Sequence, residues 1–120
     1  MNFQMDVTDA GGLCVVVGLS GELDLYSAPR LRDRLDELVV EGWAIIVVDL
    51  DQLAFMDSSG ISVLVNSAKR ARASGGELRL VCTQARLIKL FEITGLISSF
   101  AIFATRTQAV PEVVPGPPAG

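Results

Sequence analysis

A chain of 120 residues, half of them hydrophobic, is the size of one domain built around one core. It contains no histidine, which removes Ser-His-Asp catalysis and the common zinc sites, and its formal charge of −4 leaves no basic stripe to neutralise a phosphate backbone. The cluster Lys69-Arg70-Arg72 is too small to reverse that balance, so no direct nucleic acid partner is expected. No apolar run approaches the roughly 20 residues needed to cross a bilayer, and Met1-Asn2-Phe3-Gln4-Met5-Asp6 is not a secretion signal. A cytoplasmic protein without a membrane partner is expected.

In chain order, residues 3–7 and the valine-rich residues 13–19 read as a hairpin, with Gly11-Gly12 at its turn and Gly21 after its second strand. Leu31, Leu35, Leu38 and Val39 recur on one face of a helix; Ser27 is placed to cap it, Pro29 fits its first turn and Gly42 ends it. Residues 45–48 are a β-branched run without alternation, the pattern of a central strand covered on both faces by helices. Ile61, Leu64, Val65, Ala68 and Ala71 make a second helical stripe closed by Gly75-Gly76. Leu78, Leu80 and Cys82 alternate as a strand. Leu87, Leu90, Phe91 and Thr94 define a third helix stopped by Gly95, and residues 100–103 a last strand. Cys14 and Cys82 each lie inside an apolar segment and read as buried, reduced thiols.

Strands alternating with helices imply an α/β sandwich: a mixed sheet of four to five strands with three or four helices packed on it. The ordered domain is expected over residues 1–108. Residues 109–120, with Pro111, Pro115, Pro117, Pro118 and two glycines, read as a disordered tail.

Residues 55–60 carry the chemistry: Phe55-Met56-Asp57-Ser58-Ser59-Gly60 places a hydroxyl pair where a buried strand passes into a helix. The first turn of that helix offers unpaired N–H groups and a positive dipole end, a mount suited to phosphate. Asp57 or Ser58 can act as the N-cap. Gly60 in the first turn costs about 0.5–1 kcal/mol relative to alanine, a loss that implies close approach by another backbone. No imidazole is present, and neither Lys69 nor Lys89 stands at Ser-x-x-Lys spacing, so the serine reads as acted upon rather than acting. The glycine signatures of phosphate-cradling nucleotide loops are absent.

Four separated stretches fall in register with one family: Gly21-Glu22-Leu23-Asp24, Asp57-Ser58-Ser59-Gly60, Gly75-Gly76, and Arg86-Leu87-Ile88-Lys89-Leu90-Phe91 followed by Gly95-Leu96. The chain resembles the STAS domains, most closely the bacterial anti-sigma factor antagonists. The resemblance implies a non-enzymatic protein without a cofactor, which binds an anti-sigma factor that is also an ATP-dependent serine kinase and so frees a sigma factor. It implies that Ser58, immediately after the motif aspartate, is phosphorylated to end that binding, and that a phosphatase acting on phospho-Ser58 restores it. The partner surface implied comprises Glu22, Asp24, Asp57, Ser58, Ser59 and Gly60. A scaffold or sensor subunit of a larger phospho-signalling assembly is the alternative, although such proteins tend to carry an additional N-terminal sensory domain. Domains of this family usually finish with a helix beside the sheet. Pro111 cuts the corresponding residues 107–110, which leaves that helix open.

Overall fold

The computed structural model describes residues 2–111. Five strands form one sheet in the order β1-β2-β3-β4-β5: β1 Gln4–Gly11, β2 Cys14–Leu23, β3 Ile45–Met56, β4 Glu77–Val81 and β5 Ala101–Phe103. The hairpin of β1 and β2 is antiparallel, and every later pairing is parallel. Its turn takes Gly11, Gly12 and Leu13 through positive φ in succession. The helices are α1 Ala28–Glu41, α2 Ser58–Ala73, α3 Ala85–Ile93 and α4 Arg106–Ala109, with a 3-10 turn at Ile97–Ser99 before β5.

From β2 to β5 the strand order never reverses, so right-handed crossovers place α1, α2 and α3 on the same face of the sheet. Leu31, Leu35 and Leu38 of α1, Leu64 of α2 and Phe91 of α3 are buried there with Val15, Val17, Leu19, Ile46, Val48 and Leu50 of the strands. Each such side chain contributes roughly 1.5–3 kcal/mol through removal from water. Arg70 of α2 reaches Asp36 of α1 at 2.8 Å, tying the two helices at the surface.

The alternate strand residues Cys14, Val16, Ile45, Val47 and Val81 point to the opposite face, where Ala109 and Val110 cover them. This explains why the β3 run lacks alternation. Helices cover one side, as expected, whereas the other is covered by the single turn α4 and the Val110 that follows it. That turn is held by Arg106 Nε on Asp49 Oδ2 at 2.6 Å and by Arg79 Nη1 donating to the Ala109 carbonyl at 2.9 Å.

Several boundaries differ from the sequence reading. β2 does not end at Gly21 but runs to Leu23; Gly21 has φ +83°, and a Cβ there would collide with the Asn2 carbonyl oxygen. The glycine marks a backbone crossing rather than a strand end. Ser27 stands at the N-cap position of α1, but its side chain makes no bond to the helix amides; only its carbonyl does, accepting the Arg30 amide at 3.0 Å. β3 runs eight residues beyond Val48, to Met56, although β4 pairs with it only as far as Asp49. The side chains of α3's entry take over there: Gln84 Nε2 donates to the carbonyls of Asp51 and Leu53 at 2.8 Å each, and Arg86 Nη2 to that of Ala54 at 3.0 Å. A last helix does form, as the single turn α4, and Ala109, beyond the expected end at 108, is fully buried. Of the expected tail, residues 112–120 lie outside the described residues.

Candidate functional site

The parallel strands β2 and β3 finish side by side, with Glu22 opposite Phe55 and Leu23 opposite Met56. β3 then passes into α2 through one residue. Asp57 is extended, at φ −111° and ψ −174°, and its amide donates to the Leu23 carbonyl at 3.1 Å. Its Oδ1 accepts the Ser59 amide at 2.8 Å, the bond of an N-cap aspartate. Ser58 is therefore the first residue of α2. Its side chain is exposed, and its carbonyl accepts the Ser62 hydroxyl at 3.0 Å.

Ser59 is half-buried and Gly60 buried. A Cβ on Gly60 would lie 2.7 Å from Leu23 Cδ2 and 2.9 Å from Met56 Cγ. The close approach inferred from sequence is real, but its neighbours are two core side chains rather than another backbone. The first turn of α2 thus sits directly on the ends of β2 and β3, so the position of Ser58 is set by the sheet.

Beside it, the loop between β2 and α1 is stapled by its own polar groups. Asp24 Oδ1 accepts the amides of Tyr26 and Ser27 at 2.9 and 3.0 Å. Ser27 Oγ accepts the Asp24 amide at 2.9 Å and donates to the Glu22 carbonyl at 2.7 Å. The Ser27 amide foremost, with the other bonds, holds the Asp24 carboxyl below its ordinary value of 3.8. So tied, the loop leaves Leu25 and Tyr26 standing in solvent, 67% and 87% exposed, with Phe55 44% exposed on the neighbouring strand.

All six residues named from sequence lie at this one end of the sheet, the carboxyl ends of β2 and β3, where α/β folds commonly place their sites. Their roles divide. Gly60 contributes space, Asp57 the cap and Asp24 the staple, each with at least one polar or packing task inside the monomer. Ser58 is the exposed hydroxyl, and Glu22 is half-buried opposite Phe55 in the sheet register. Sequence reasoning missed Leu25, Tyr26 and Phe55. The Asp-x-x-Ser spacing of Asp24 and Ser27 was a signal for a side-chain-locked turn whose middle residues must face outward. Among the described residues no group of three His, Cys, Asp or Glu stands ready to hold a metal, and no helix is long and apolar enough to cross a membrane.

A five-stranded mixed sheet with three helices on one face, a single helical turn on the other and a serine at the head of the second helix defines a STAS-type sandwich. The description of the STAS domain matches residues 4–109. The anti-sigma-B factor antagonist of Bacillus subtilis (strain 168) is 41% identical over 96 residues, covering 80% of this chain and 86% of that protein. An anti-sigma factor antagonist from Mycobacterium paratuberculosis superposes with a TM-score of 0.82 at 26% identity, over 90% of this chain and 91% of the other. The Bacillus anti-sigma factor antagonist SpoIIAA, solved unphosphorylated and phosphorylated, gives TM-scores of 0.77 and 0.71 at 25% identity, over 89% of this chain and 93% and 96% of those chains. The chain belongs to the STAS domain family, among its anti-sigma factor antagonists.

Proposed function

We propose that this protein is a regulatory binding protein of the cytoplasm whose unphosphorylated form engages an anti-sigma factor with serine kinase activity, and thereby frees a sigma factor. Phosphate on Ser58 ends the engagement, and a phosphatase acting on phospho-Ser58 restores it. One observation carries this reading: Ser58 is an exposed hydroxyl at the first position of α2, on a mount fixed by the Asp57 cap and the buried Gly60. Leu25, Tyr26 and Phe55 supply exposed apolar area around it, of a kind that protein interfaces bury.

The switch follows from charge. Phosphate adds about −1.5 to −2 charges at pH 7. Inside the monomer these meet the positive end of α2, worth roughly 0.3–1 kcal/mol, and the Asp57 carboxylate, which opposes them by a comparable amount. The fold is indifferent to the modification. The unphosphorylated and the phosphorylated SpoIIAA each superpose on this chain, with TM-scores of 0.77 and 0.71, which supports that expectation. In an interface the dianion must be desolvated or set against acidic groups, and a loss of about 3 kcal/mol weakens binding about a hundredfold.

The test is a pair of substitutions read by calorimetry and intact mass with the cognate kinase and ATP. Ser58→Ala retains affinity and gains no phosphate; Ser58→Asp folds normally and binds more weakly by tenfold or more, roughly 1.4 kcal/mol. Uptake of phosphate by Ser58→Ala at the wild-type rate would refute the assignment.

A further inference from the structure

A second site lies on the same helix, away from Ser58. Val65, Ala68, Lys69 and Arg72 share one face of α2 and form one wall of a cleft of about 420 Å³; Leu96, Ser98, Ser99 and Phe100 form the other. The far wall is anchored by Phe100, whose ring meets that of the fully buried Phe91 edge-on with centroids 5.5 Å apart. The volume is within the range of small-molecule pockets.

The charges inside it are unbalanced. In a chain of net charge −4, most arginines near α2 are neutralised: Arg70 lies on Asp36 at 2.8 Å, and Glu77, at the cleft's lower edge, is taken by Arg79 at 3.2 Å. Among the described residues neither Lys69 nor Arg72 has an acidic partner. Two cations one turn apart, facing the exposed hydroxyls of Ser98 and Ser99, complement a dianion carrying several acceptor oxygens. Val65, Leu96 and Phe100 offer the same ligand an apolar surface.

We infer that this cleft binds a small organic phosphate, with Lys69 and Arg72 on the phosphate and Val65, Leu96 and Phe100 against its apolar part. No backbone cradle is required, which is consistent with the absence of a glycine-rich phosphate loop. Lys69 stands about 16 Å along α2 from Ser58, so the ligand and the phosphorylation site do not overlap.

The test is an NMR titration of the full chain with phenyl phosphate, inorganic phosphate and phenol. Phenyl phosphate should give saturable shifts at the amides of Lys69, Arg72, Ser98 and Ser99, at least about tenfold tighter than inorganic phosphate, while phenol gives none. Lys69→Ala combined with Arg72→Ala should weaken binding by about tenfold or more. Arg70→Ala, which removes a cation already held by Asp36, should leave it unchanged, as should Ser58→Ala. The assignment is overturned by no saturation up to about 10 mM, by equal losses in Arg70→Ala and the double variant, or by inorganic phosphate binding as tightly as its phenyl ester. Because Ser58→Ala is a control here, failure of the cleft and failure of the phosphorylation switch read out separately.

Discussion

Gly60 shows how one missing side chain positions a functional hydroxyl. Replacing a helical glycine by alanine ordinarily stabilises by up to about 1 kcal/mol. Here the new methyl would meet Leu23 and Met56 inside 3 Å, and both are buried and surrounded, so neither can turn away freely. Overpacking of this kind costs roughly 1–3 kcal/mol. Gly60→Ala should therefore lower the urea midpoint despite its better helix propensity and tilt the first turn that presents Ser58. A raised midpoint would mean that α2 does not sit on the strand ends as described. The motif was legible in sequence as a serine at a helix start. The reason for its glycine was not, because Leu23 is distant along the chain and reaches the helix only through sheet pairing.

At the scale of the element, the β2–α1 loop owes its shape to a carboxylate. Asp24 titrates below its ordinary 3.8 because it accepts bonds from Ser27 and Tyr26 when ionised. A folded-state value below the unfolded one contributes stability that is present above the unfolded value and lost as the pH falls through the folded one. Asp24→Asn should thus be less stable than wild type near pH 6, with the gap closing below pH 3.8 in acid unfolding followed by circular dichroism. A gap independent of pH would show that the charge on the carboxyl is not what ties the loop. The lengths of the strands were the least legible feature. Asp49, Asp51 and Gln52 read as the end of an apolar run, yet β3 continues through them because their partners arrive from far away. Asp49 meets Arg106, and Asp51 accepts the Thr83 amide at 2.6 Å. A local pattern carries no trace of such bonds.

At the scale of the molecule, the sheet is covered unequally. Three helices bury one face, while the other depends on α4, a single turn latched by Arg106 on the nearly buried Asp49. Gly18 leaves room for that guanidinium, since a Cβ there would lie 2.5 Å from Arg106 Nη2. Arg106→Ala leaves a buried carboxylate without its partner, at a cost of roughly 1–3 kcal/mol. The two thiols report where the loss is felt. Cys14 lies under α4 and Cys82 in the helix-side core, and burial raises the thiol value of both, so both react slowly in the native protein. The variant should accelerate labelling of Cys14 far more than that of Cys82. Equal acceleration would indicate global unfolding rather than release of the latch.

The amino-acid order by itself determined the alternation of strands and helices and the serine at the head of α2, since periodicity, glycine stops and capping residues act over a few neighbouring positions. Tertiary structure alone decided how far each strand runs, which side chains face solvent around Ser58, that Lys69 and Arg72 share a cleft with Ser98 and Ser99, and that one helical turn closes the second face. Each of these depends on groups brought together across the sheet from widely separated parts of the chain, and the energy of such meetings is written in no local segment.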